Sequence, residues 1–153
     1  MTPRGAFAGL MIAAALAGCS KLPKDIDKDI LDDAVGASIG DPATCVLIVK
    51  KGTGDVVWRY GRNMTCAQTL PACDAPGSIS TDNVAVAAAK GATKAASCPS
   101  PAGLASWSAG PLPTSHPDKY GDLVYAASMN SKRGLPGREM ATRLEGAFAK
   151  AGF

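Results

Sequence analysis

The sequence predicts an α+β domain, an antiparallel sheet of two hairpins covered by N-terminal, middle and C-terminal helices. Three observations carry that expectation: a β-hairpin pattern at residues 45–60, an alternating strand pattern at 123–130, and segments of helical period around them. A length of 153 residues with 46% hydrophobic content suffices for one buried core. Charged residues make up only 19%, the formal net charge is +3, and the signs are mixed along the chain. No basic stripe for nucleic acid is present, and aromatics at 5% offer few platforms for stacking bases.

Residues 21–40, KLPKDIDKDILDDAVGASIG, place Ile26, Ile30, Leu31, Ala34 and Val35 at helical spacing, with Asp and Lys filling the other face. Gly36 and Gly40 should break that helix. In TCVLIVKKGTGDVVWRYG, two β-rich runs, Cys45–Lys50 and Val56–Tyr60, flank the turn formers Gly52, Thr53, Gly54 and Asp55. Val46 and Ile48 alternate with Leu47 and Val49, so both faces of the first strand are apolar and it should be central. Residues 61–80 hold two prolines, two glycines and two cysteines without periodicity and read as a stapled loop. From Ser80 or Asp82 a capped helix is expected to run through VAVAAAKGATKAAS toward Cys98. Residues 104–109 form a possible strand, and GPLPTSHPDKYGD reads as a polar loop. Leu123, Tyr125, Ala127 and Met129 then alternate with Val124, Ala126, Ser128 and Asn130, the period of a strand. The last helix carries the stripe Met140, Leu144, Ala147, Phe148 and Ala151, a Glu139–Arg143 pair and a closing Gly152.

The first eighteen residues, MTPRGAFAGLMIAAALAG, have one positive charge, Arg4, followed by an apolar run too short to remain as a membrane span. That is the layout of a signal peptide. Leu16, Ala17, Gly18 and Cys19 resemble a lipobox, the recognition site of bacterial lipoproteins. The resemblance implies diacylglycerol on the Cys19 sulfur, cleavage before Cys19, and acylation of the new amino terminus, for instance with palmitate. Several acyl chains anchor firmly, at about 0.8 kcal/mol per buried methylene. Ser20, following the cysteine, resembles an outer-membrane sorting signal. The expected organisation is a signal peptide over 1–18, a lipidated cysteine and short tether over 19–24, and a single domain over 25–153. The expected place is the bacterial envelope, lipid-anchored, at the outer membrane facing the periplasm.

Only Arg4 of the 16 basic side chains leaves with the leader, so 15 remain against 13 acidic ones. Cys45, Cys66, Cys73 and Cys98 also remain, an even four in an oxidising compartment. No CxxC spacing occurs and His116 is the only histidine, so disulfides are expected rather than a zinc site. Four cysteines permit three pairings. The 45–60 hairpin brings Cys45 near the residues just beyond Tyr60, which favours Cys45 with Cys66 and leaves Cys73 with Cys98.

The helix before the first hairpin, and the final two strands followed by a helix, look like the outer parts of the penicillin-binding and serine β-lactamase fold. That resemblance implies a Ser-x-x-Lys nucleophile, in which lysine eases deprotonation of serine. No serine here has a lysine three residues later. Lys90, Gly91, Ala92 and Thr93 loosely resemble the family's Lys-Thr-Gly box, and Thr81, Asp82 and Asn83 its Ser-x-Asn element, yet helix propensity and capping already account for both. The element order also resembles roadblock and profilin-like sensor or interaction domains. Elsewhere His116 reads as a solvated loop residue. Asp25, Asp27, Asp29, Asp32 and Asp33 lack calcium-loop spacing and read as a solvated helix face. Trp58 and Trp107 read as core or hairpin residues, GTGD at 52–55 as a turn rather than a phosphate cradle, and Asn63-Met64-Thr65 as an incidental sequon.

No catalytic residue, metal or cofactor follows from these residues. The expected function is a non-catalytic envelope lipoprotein with a partner-binding or assembly role, its partners being the membrane and an envelope protein. Two alternatives differ in class: a diverged penicillin-recognising or serine-hydrolase-like protein using Ser78 or Ser80 near Lys90, and a small-ligand sensor domain.

Overall fold

The computed structural model describes residues 21–153. The leader, the lipobox residues with Cys19, and Ser20 lie outside the described residues. The chain is α+β, with helices α1 (Lys28–Ile39), α2 (Asn63–Ala67), α3 (Thr81–Ala89), α4 (Pro117–Tyr120) and α5 (Gly137–Ala151). Its strands are β1 (Cys45–Lys50), β2 (Val56–Tyr60), β3 (Thr69–Pro71), β4 (Ser78–Ser80), β5 (Lys94–Ser100), β6 (Gly103–Pro111) and β7 (Leu123–Ser131). Five strands form one antiparallel sheet in the order β2-β1-β7-β6-β5, and β3 with β4 makes a separate small hairpin.

The alternating pattern of β1 decides the layering. Val46 and Ile48 point to the side covered by α1 and α5, where they join Trp58, Tyr125, Ala127, Met129, Leu144 and Phe148. Cys45, Leu47 and Val49 point to the opposite side, covered by α3, where they meet Val84, Ala88, Trp107 and Ala126. A strand with both faces buried must lie inside the sheet, and β1 is hydrogen-bonded on both edges. In α5 the expected stripe of Met140, Leu144, Ala147, Phe148 and Ala151 is buried, Arg143 pairs with Glu139 at 2.7 Å, and Gly152 closes the helix in the left-handed conformation. α1 begins where the Asp27 carboxylate accepts from the amides of Asp29 and Ile30. Leu31, Ala34, Val35 and Ile39 face the core, but Ile30 is 47% exposed and Ile26 is buried ahead of the helix, so the apolar face is rotated from the expected one.

Four segments correct the sequence reading: α1 runs through Gly36 to Ile39, the expected loop over 110–122 holds the end of β6 and α4, and the middle helix and the 61–80 segment differ as well. The middle helix does not continue toward Cys98. It stops at Ala89, Lys90 caps it, and Gly91 turns the chain with φ +97°, where a side chain would be strained. Lys90 to Thr93 is therefore a helix end and loop rather than helix interior. Residues 94–100, alanine-rich and helix-compatible in isolation, instead pair with β6 from Lys94↔Ala109 to Ser100↔Gly103, adding a strand to the expected second hairpin. Cross-strand bonding outweighs local propensity here. The expected loop over 61–80 contains α2 and the β3–β4 hairpin, and it is stapled as expected. Cys45 bonds Cys66, and Cys73 bonds Cys98.

The start of the described chain is clasped to the domain. The Asp25 carboxylate accepts from the Tyr120 hydroxyl at 2.6 Å and forms an ion pair with Lys119. The hydrogen bond from Lys119, then that from Tyr120, lowers the Asp25 pKa from the ordinary 3.8 to about 2. A carboxyl whose folded value is depressed contributes stability above its unfolded value, and the contribution is lost as pH falls through the folded value. Asp25→Asn should therefore lower the melting temperature at neutral pH, with the difference from wild type disappearing between about pH 4 and pH 2. A difference that persists unchanged at pH 2 would show that the clasp is not linked to this charge.

Candidate functional site

Two places in the fold gather polar chemistry. The first is the start of α3, where the serines singled out by sequence lie. Ser78 is exposed on β4, while Ser80 is buried and caps α3, its hydroxyl accepting from the Asn83 amide at 3.2 Å. The next residue, Thr81, is fully buried, and its hydroxyl lies 2.6 Å from that of Ser128 on β7. These are hydroxyl-to-hydroxyl and hydroxyl-to-backbone contacts. No lysine, histidine or carboxylate is among the hydrogen-bond partners of Ser80, Thr81 or Ser128 in the described residues. Lys90 does not meet them. Ten residues separate it from Ser80 along α3, and at about 1.5 Å of rise per residue that is roughly 15 Å. Lys94 is engaged with Asp74, which lowers the Asp74 pKa, and its ammonium sits 5.7 Å from the centroid of Trp107. Beside this pair lies a small cleft of about 170 Å³ with walls from Ile79, Val84 and Ala109. Another buried hydroxyl pair, Ser108 with Tyr125 at 2.6 Å, lies on the opposite face of the sheet, where burial pushes the phenol pKa upward and keeps it protonated.

The second place is the end of the sheet at which α1 stops. Gly36 and Gly40 there let Tyr60 lie flush on the last turn of the helix. A Cβ on Gly40 would stand 2.9 Å from the Tyr60 hydroxyl and 2.2 Å from the Gly36 carbonyl. A cleft of about 400 Å³ opens between this turn and Arg62, and one of about 270 Å³ lies on its other side toward Arg133 and Arg143. The two share Gly36, Gly40 and Asp41, and a third depression shares Arg62 and runs out to Met64. Met64 is 85% exposed, the most exposed large apolar side chain in the described residues. Arg143 is held by Glu139 and by the Ser38 carbonyl, whereas Arg62 and Arg133 have no ion-pair partner among the described residues. α2, which carries Met64, is pinned beneath the groove by the fully buried Cys45–Cys66 bond.

The other residues drawn from sequence are structural. His116 is exposed at the start of α4, with its ring edge-on to Tyr120. Asp25 and Asp27 serve the clasp and the α1 cap, and Asp32 bonds Lys28 and accepts from the Trp58 indole nitrogen at 2.8 Å. Trp58 and Trp107 are both buried. Gly52 and Gly54 form the expected turn, which is tied to α3 through the Gly52 amide and the Ala89 carbonyl at 2.7 Å. No group of three metal-ligating side chains occurs among the described residues. Sequence reasoning missed Tyr60, Arg62, Met64 and Arg133, because they meet only when β2, α2 and the β7–α5 connection converge on α1. Comparison with protein-family models, curated proteins and solved structures finds no match to this chain.

Proposed function

We propose that the chain is a lipid-anchored protein of the bacterial envelope whose domain is a non-catalytic binding module. The observation that carries the non-catalytic part is the chemistry at the start of α3: Ser80, Thr81 and Ser128 bond to one another's kind and to backbone, and Lys90 stands at the far end of the helix. A serine nucleophile needs a base within hydrogen-bond reach, of about 2.6 to 3.2 Å. The two disulfides fit a chain that folds outside the reducing cytoplasm, and the Leu16–Cys19 resemblance supplies the lipid anchor, with Ser20 favouring the outer membrane.

Fluorescent penicillin should leave the purified protein unlabelled at concentrations that saturate an active serine enzyme run beside it. Covalent label mapped to Ser78 or Ser80 would overturn the non-catalytic reading in favour of a penicillin-recognising protein. The anchor is tested separately. Labelled palmitate should enter the wild-type protein in a bacterial host and be lost in Cys19→Ala, and equal incorporation in both would remove the lipoprotein assignment.

A further inference from the structure

We propose that the groove around the C-terminal end of α1 is the docking site for an extended, acidic segment of a partner protein, with Arg62 and Arg133 receiving its carboxylates and Met64 an apolar side chain. The inference deepens the binding-module reading and rests on it. The clefts of about 400 and 270 Å³ flank the last turn of α1 and share Gly36, Gly40 and Asp41 as lining, and Arg62 lines both the larger cleft and the depression at Met64. A ligand that contacts all three must pass around the helix end, which suits an extended chain rather than a compact molecule. Charge selects the chain. Guanidinium groups bind carboxylates through two parallel hydrogen bonds, and these two lack ion-pair partners among the described residues. Asp41 lines both clefts, its carboxylate accepting from the Ala43 amide at 2.9 Å. Its charge disfavours a carboxylate in the middle of the groove and so places the acidic residues of the partner toward the two ends. An exposed methionine at the margin offers a soft, adaptable apolar contact of the kind protein partners use.

Position agrees with this role. The chain leaves the anchor just before α1, and the groove is at the other end of that helix, twelve residues or about 18 Å away. A lipid on Cys19 would therefore attach on the side of α1 that begins the helix, at the end remote from the groove.

The test is a polarisation titration of the full mature chain with a fluorescein-labelled peptide that has glutamate at both ends and leucine between them. Saturable binding is expected, with the glutamine version of the peptide at least about tenfold weaker. Arg62→Gln combined with Arg133→Gln should weaken the glutamate peptide about tenfold or more. Lys24→Gln combined with Lys150→Gln removes the same charge at the anchor end and should change affinity less than about twofold. Amide shifts in the wild-type protein should centre on residues 36–41, 60–64 and 133, a readout that needs no variant. Absence of saturable binding, an equal loss in the lysine pair, or shifts centred elsewhere would overturn the proposal. The penicillin and palmitate results are independent of these outcomes, so a failed titration without penicillin labelling removes the groove and leaves the non-catalytic reading in place.

Discussion

Replacing Cys45 and Cys66 together by alanine should lower the unfolding free energy by about 3 kcal/mol. The crosslink closes a sequence separation of 21 residues, and freeing such a loop raises the entropy of the unfolded chain by about that amount. Both sulfurs are fully buried against the core on the α3 side of the sheet, so their removal also costs packing. The bond joins the first residue of β1 to α2, so the loss extends beyond stability to the position of Arg62 and Met64. Urea unfolding under oxidising conditions measures the difference, and a loss below about 1 kcal/mol would show that the 61–80 segment is held by its other contacts. The second crosslink behaves differently. Cys73 and Cys98 are both partly exposed, on the β3–β4 hairpin and the edge strand β5. Under graded reductant the Cys73–Cys98 bond should open first, since thiol exchange requires access to a sulfur. Mass-spectrometric trapping of alkylated intermediates would show Cys73 and Cys98 modified while Cys45 and Cys66 remain bonded.

The same two bonds show what a sequence can reveal. Cys45 and Cys66 were legible as a pair because a hairpin is a local object: its turn at 52–55 returns the chain to within reach of its own start. α5 was legible for a related reason, five apolar side chains at one period with a glycine stop. β5 was not. Lys94 to Cys98 carry alanines that suit a helix, and only the partner strand β6, together with the Gly91 turn, makes them extended. The serine–lysine alternative turned on a different matter, the length of one helix. α3 has Ser80 at its head and Lys90 at its tail, so proximity in sequence becomes separation in space. The groove lay beyond local reading altogether. Gly36, Tyr60, Arg62 and Arg133 come from three stretches of chain whose convergence depends on strand order β2-β1-β7, and none carries a motif.

Trp107→Ala should destabilise the domain by about 3 to 5 kcal/mol, toward the upper end of that range. Trp107 lies on β6 with no exposure, on the face covered by α3, and its neighbours in that core include Ala88, Ala89, Ala105, Ala109 and Ala126. Residues this small cannot reach into the space an indole leaves, so the cavity persists rather than collapsing. The indole nitrogen also donates to the Pro71 carbonyl at 2.7 Å, holding the β3–β4 hairpin against the sheet beside the Cys73–Cys98 bond. Trp107→Phe separates the two effects. It keeps most of the packing but leaves the Pro71 carbonyl without its donor, for a loss of about 1 to 3 kcal/mol. Equal losses in the two variants would assign the residue's role to the hydrogen bond, and a small loss in both would mean that the hairpin is held by the disulfide alone. Because the Cys45–Cys66 bond ties α2 to β1 independently of this hairpin, Trp107→Phe should also leave binding of the acidic peptide within about twofold of wild type. The two halves of the 61–80 segment would then be energetically separate, one fastening the α3 core and the other shaping the groove.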